Sequence, residues 1–289
     1  VSNNAYQQNL AGGQDGVVFK LNNDLSNLEW STYIGGSSND AAFGIRINNN
    51  NNVFVTGTAG DDSFPTTANA LYPNNLGLSD GFILELNDQG TNLINSTFYG
   101  SNGEDHSFFI DLDSDGYVYI FGQNSGIINP SPNVYSIPNS PQFIAKIDPS
   151  LSVLEWETVI GSGSINGGIA PMPDFIPIAF MVDVCDHIYI SGHSAMAGLE
   201  VTDDAIYTGD QVGIGFYELV LSVDANDIVF GTYYNGDHVD GGTSRFDPTG
   251  IIYQAVCSGG AFTPTNDAFS NIQPIGWDIG VFKIDFNSD

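Results

Sequence analysis

Apolar residues in this chain fall on alternate positions. In "DGVVFKL", which begins at Asp15, Val17, Phe19 and Leu21 alternate with Val18 and Lys20, the period-two spacing of a strand whose faces meet different surroundings. The runs "LEWSTYI", "AAFGIRI" and "VFVTG" follow. Each is short, rich in β-branched and aromatic residues, and bounded by Gly, Asn or Asp, which predicts strands joined by tight turns. No segment carries the 3.6-residue spacing of an amphipathic helix.

The strand pattern repeats. "DGVVFKLNNDLSNLEWSTYIGG" from Asp15, "DGFILELNDQGTNLINSTFYG" from Asp80, "QFIAKIDPSLSVLEWETVIGSG" from Gln142, "LVLSVDANDIVFGTYYNG" from Leu219 and "DIGVFKIDF" from Asp278 are variants of one unit. Aligning Leu21, Leu86, Ile147, Val223 and Ile284 gives a long repeat whose intervals are unequal, as loops of variable length require. Each unit holds about four strands, and four short antiparallel strands repeated at a long period predict a β-propeller. The expected full blades are 41–100, 107–161 and 178–234, with partial blades at 1–36 and 243–289. At least five blades are therefore represented in a single propeller domain or segment spanning 1–289. "VSNNAYQQNLAGGQDG" corresponds to the loop tails "TTANALYPNNLGLSDG" and "TPTNDAFSNIQPIGWDIG". The expectation is a piece of a longer chain, or a ring whose terminal blade is assembled from both ends.

Composition narrows the function classes. Of 289 residues, 42% are hydrophobic, enough for a large core, but 34 acidic side chains face only 5 basic ones, a formal charge of −29. Such a surface repels nucleic acid and anionic headgroups and attracts cations or cationic partners. No apolar run is long enough to span a bilayer as a helix. The scarcity of lysine and the abundance of Asn, Asp, Gly, Ser and Thr point to a secreted or surface protein. Cys185 and Cys257 are too few for a disulfide framework. The strand assignment puts them near opposite faces, so both are expected to be unpaired.

The succession "STYIGGSSND", "NNVFVTGTAGDDSFPTTANALY" and "DGFILELN" resembles the SBBP (seven-bladed beta-propeller) repeat of bacterial secreted and cell-surface proteins. The likeness covers nearly the whole chain, strongest over 15–100 and weakest over 162–215. It implies a propeller fold and an extracellular location. It also implies membership in large multidomain proteins of gliding, surface-adhesive bacteria, often exported through a C-terminal sorting domain. The family has no shared catalytic motif to carry over.

Candidate chemistry begins with "IDLDSDGYVYIFGQ" at 110–123, where Asp111, Asp113, Asp115 and Gly116 have the spacing that opens an EF-hand-type calcium loop. Gly122 stands where the bidentate Glu belongs, so a bound Ca2+ needs water or another loop to complete its shell. The repeat places Asn48, Asp183 and Asp247 opposite Asp113, which argues for a side chain that caps the turn. Turn chemistry accounts for Asp113 without accounting for Asp111 or Asp115, so both readings stand.

A second acidic feature precedes the first strand of each blade: Asp40, then Glu104 and Asp105, then Asp237 and Asp240. These residues either cap backbone amides or form an acidic rim. His106 and His238 lie in equivalent loops, without the spacing of a zinc site. Trp30 and Trp156 occupy equivalent strand positions and are expected to pack between blades. For a partner, the sequence offers Trp277 in a long loop, and Phe175 and Ile176 in the apolar insertion 163–180, because variable loops on a rigid scaffold carry specificity.

With no nucleophile elbow and no catalytic cluster, the expected role is non-enzymatic: a surface module for adhesion or partner binding, or a spacer. Its partners would be a protein or glycan surface ligand, or other domains of the same protein. The alternatives are a polysaccharide hydrolase or lyase using loop carboxylates, and a subunit of a secretion or gliding-motility assembly.

Overall fold

The computed structural model describes residues 1–161, 163, 175–194, 198–208, 215–235, 244–258, 264–270 and 278–285. Strand is the dominant element of the described residues. The helical content of the described residues is one 3-10 turn, Val223–Ala225. The chain divides into two compact units, Val1–Ser131 with Pro138–Pro171, and Pro132–Ile137 with Met172–Asp289. Each unit is described by itself.

In the first unit, β1 (Gly16–Leu21) pairs with β2 (Leu28–Ile34). A four-stranded sheet follows in the order β3 (Ala41–Ile47), β4 (Val53–Ala59), β5 (Asp80–Leu86), β6 (Leu93–Tyr99). The next sheet has the same meander, β7 (Asp105–Leu112), β8 (Val118–Asn124), β9 (Gln142–Ile147), β10 (Leu154–Ile160). The second unit contains β11 (Phe175–Val182), β12 (Ile188–Ser194), β13 (Gly215–Leu221) and β14 (Ile228–Asn235) in one sheet. Its other sheet is β15 (Ser244–Phe246), β16 (Ile252–Ser258) and β17 (Asp278–Ile284). All in-sheet neighbours are antiparallel. Three of these sheets are four-stranded meanders, as propeller blades are, and the fold is all-β of the β-propeller type.

The alternating pattern has a direct packing cause. Phe82, Leu84 and Leu86 of β5 join Val18, Trp30 and Ile34 of the preceding sheet in one core, while Ile83, between them, joins Ile110, Ile120 and Phe143 of the following sheet in another. One strand thus fastens two sheet-to-sheet contacts, with each fully buried large side chain contributing roughly 1.5–3 kcal/mol. The second unit has analogous clusters around Tyr189, Val220 and Ile252, and around Ile178, Phe216 and Val256.

Register corrects one alignment. Leu86, Ile147 and Ile284 pair with the first residues of β4, β8 and β16, and the residue with that partner in β12 is Leu221, not Val223. The interval that follows Ile147 is therefore shorter than the sequence alignment makes it, and the interval leading to Ile284 is longer by the same amount. Asp224 misleads because it imitates Asn87 and Asp148, whereas the turn position they occupy belongs to Ser222, whose N–H donates to Asp227 O.

Candidate functional site

The turns between the first two strands of each blade are built alike. Asn48 Oδ1 accepts from the N–H groups of Asn50 and Asn52, Asp113 Oδ1 from Asp115 and Tyr117, Asp183 Oδ1 from Cys185 and His187, and Asp247 Oδ1 from Thr249. The side chain thereby satisfies amides that the reversing backbone leaves without ladder partners.

Asp111, Asp113 and Asp115, the candidate calcium ligands of the sequence, differ in what they touch. Arg46 Nε of β3 donates to Asp111 Oδ1 at 2.8 Å. Lys146 Nζ of β9 lies 3.5 Å from Asp113 Oδ2, over the rings of Tyr117 and Tyr119. Two of the three charges are thus offset by cations from other strands, and among the described residues no group of three or more His, Cys, Asp or Glu side chains converges on a metal position. The third carboxylate, Asp115, sits on the exposed turn.

Of the acids ahead of the first strands, Asp40 and Asp105 turn inward and Glu104 is exposed. Asp40 is 1% exposed and Asp105 fully buried. Asp40 accepts from Gly36 N–H at 2.7 Å and Gly60 N–H at 2.9 Å. Asp105 accepts from Ser101 N–H at 2.6 Å and from the Ser101 hydroxyl. Each has a companion earlier in the chain, Asp15 for Asp40 and Asp80 for Asp105, at the start of the third strand of the preceding blade. Asp15 accepts from the N–H groups of Ala11 and Gly12 and from the Gln7 amide, and Asp80 from Leu76 N–H.

Parallel bridges Gln14 to Asn39 and Ser79 to Glu104 run alongside these pairs. Asp40 N–H donates to Gln14 O, and Asp105 N–H to Ser79 O. Consecutive sheets are therefore clasped at the same end by backbone and carboxyl together. The sequence carried a signal for this, since the two pairs of acids are equally spaced, but the partner loops lie in different repeats.

At the second clasp the two carboxyls face each other. Both are fully buried and within hydrogen-bonding reach. A Cβ on Gly100 would stand 2.6 Å from Asp80 Oδ1 and 2.7 Å from Asp105 Oδ2, so only glycine permits the approach. Burial pushes Asp105 up to about 7, with the Asp80 charge adding to the rise, and burial also raises Asp80.

Glu218 on β13 is the other displaced acid. It is fully buried, accepts from the Ser191 hydroxyl at 2.8 Å, and is pushed up to about 8 by burial. Its second oxygen has no hydrogen-bond partner among the described residues. Raised carboxyls are what an acid catalyst needs, yet Asp80, Asp105 and Glu218 expose no surface that a polysaccharide could touch in this conformation.

The remaining sequence candidates separate. Ile176 is 57% exposed near the start of β11. Phe175 begins that strand, while Trp277, His238, Asp237, Asp240 and most of 163–180 lie outside the described residues. His106 packs on Phe108, and burial lowers its pKa. Trp30 is a packing residue whose Nε1–H donates to Asp88 O at 2.9 Å across sheets, and Trp156 is buried against Tyr119. Cys185 and Cys257 are unpaired thiols.

No family model matches the chain. No curated protein matches it either. Among solved structures the chain is similar to Kuenenia stuttgartiensis hydrazine synthase at 11% identity and a TM-score of 0.44, over 82% of this chain and 55% of that one. The chain thus spans little more than half of that protein's chain.

Proposed function

We propose that this chain is a non-enzymatic propeller module of a large bacterial cell-surface protein, related to the SBBP repeats. It works outside the cell as a rigid spacer and as a surface for adhesion. The observation that carries this reading is the repeated clasp. Asp15 with Asp40, and Asp80 with Asp105, tie successive sheets at the same end, a use of conspicuous acids that serves rigidity. The charge inventory supports an outward-facing role. Four of the five basic side chains pair with Glu29, Asp111, Asp113 and Asp285, so a polyanionic surface is left for cationic groups on a protein or glycan partner. Ile176, an exposed residue of the apolar insertion, favours a protein partner, such as another domain or a component of a secretion or gliding assembly.

The test combines location and chemistry. Antibody labelling of intact source cells is expected to stain the surface, and purified protein is expected to adhere to protein- or glycan-coated sensors in a salt-sensitive way. Release of new reducing ends or unsaturated sugars from a polysaccharide panel, lost on substitution of loop carboxylates, would overturn the reading in favour of a hydrolase or lyase.

A further inference from the structure

We propose that Asp80 and Asp105 share one proton and form an acid-tightened latch between the β3–β6 and β7–β10 sheets. Asp80 comes from the start of β5 and Asp105 from the start of β7, so the pair bridges two sheets. Asp80 Oδ2 accepts from Leu76 N–H, the Gly77 N–H also favours the Asp80 carboxylate, and Ser101 holds Asp105; Asp80 Oδ1, with no hydrogen-bond donor among the described residues, is left to Asp105. One proton between the two carboxyls satisfies both. Thr58 strengthens the seam, since its hydroxyl lies 3.4 Å from Asp80 O and 3.2 Å from Asp105 O.

Among the described residues of the first unit no cation faces the pair. Asp62 faces Asp80 from the 60–79 loop and adds negative charge, while Asp105 bears on the buried Tyr99 hydroxyl at the end of β6. His106, next in sequence, is held toward its neutral form by burial, although Glu104 opposes this. Lys20, Arg46 and Lys146, the basic side chains of the first unit, are committed to other carboxylates. When the shared proton leaves for solvent, two buried anions confront each other. The folded-state pKa values are raised, so the latch is closed at low pH, weakens as pH climbs above the ordinary aspartate range, and has lost its proton once pH passes about 7. The Asp15–Asp40 clasp is the internal control. There Asp40 accepts two backbone N–H bonds and Asp15 is saturated by its own loop.

Carboxyl-carbon NMR titration of the whole chain is expected to show one proton leaving the Asp80–Asp105 pair near neutrality. In Asp80→Asn the remaining carboxyl should titrate lower. Amide exchange, corrected for intrinsic rates, reads the latch directly at Asp105 and Leu78, whose N–H groups bond across the seam to Ser79 O and Gly103 O. Protection there should fall on the order of tenfold from about pH 6 to about pH 8. It should stay flat in Asp80→Asn, with Asp40→Asn leaving the pH response in place. Titration of both carboxyls below about pH 5, or protection that ignores pH in the wild type, overturns the proposal. Restoration of wild-type protection at alkaline pH by millimolar CaCl2, absent in Asp80→Asn, would assign the pair to a cation and overturn it as well.

Discussion

Replacing Glu218 with Gln should stabilise the second unit, and increasingly so as pH rises. The side chain stands on β13 with no exposed surface, one oxygen on Ser191 and the other without a partner among the described residues. Its carboxyl is pushed up to about 8, against about 4.3 for an exposed glutamate. A raised acid favours folding below the unfolded value and loses that advantage as pH climbs through the folded one. The wild type therefore forfeits about 1.4 kcal/mol per pH unit between roughly 4.5 and 8, amounting to about 3–4 kcal/mol at about pH 7. Glutamine keeps the shape and can still accept from Ser191, but it does not ionise. Urea unfolding of both proteins, followed by circular dichroism and by amide exchange on β13 at several pH values, should give a stability difference near zero at about pH 5 that grows and then levels above about pH 8. A difference independent of pH would refute the assignment of Glu218 as a buried neutral acid.

Arg46→Ala should cost no more than about 1 kcal/mol, because the arginine side chain is 44% exposed and solvent screens the pair with Asp111; the loss should shrink in high salt in denaturant titrations. Asp183→Ala removes acceptors for Cys185 N–H, His187 N–H and the Tyr189 hydroxyl, and the unsatisfied groups should lower stability by about 1–3 kcal/mol in the same assay. Calcium or chelator should leave the thermal midpoint unchanged, since Arg46 and Lys146 already balance two carboxylates of the 111–115 turn; a calcium-dependent rise abolished by Asp115→Asn would contradict this. Thiol labelling of the native protein should modify Cys185 faster than Cys257, in keeping with their exposure, and intact mass should show no disulfide.

The strands were legible because a period of two is imposed locally by the pleat: Val17, Phe19 and Leu21 announce β1 without reference to any other segment. The turn acids at 48, 113, 183 and 247 were legible for the same reason, since an Asx side chain bonds amides a short way along its own turn. The partners of Asp111 and Asp113 were not. Arg46 lies a full repeat before the acid it meets, and Lys146 stands on β9, two strands beyond the turn that holds Asp113. Glu218 was hidden by a slip in the repeat alignment. Matching Val223 to Leu86 puts Glu218 opposite Gly81, whereas the ladder puts it opposite Ile83, where a carboxyl is conspicuous.

The placement of the basic residues has a consequence for proteolysis. Lys20, Arg46, Lys146, Arg245 and Lys283 each lie within a strand. Trypsin-like proteases, which cut after Lys or Arg and need an extended, unpaired segment in their cleft, meet every such peptide bond inside a β-ladder. Digestion by enzymes of that specificity has to wait for a blade to come apart, while the long connecting loops present them with no residue to recognise.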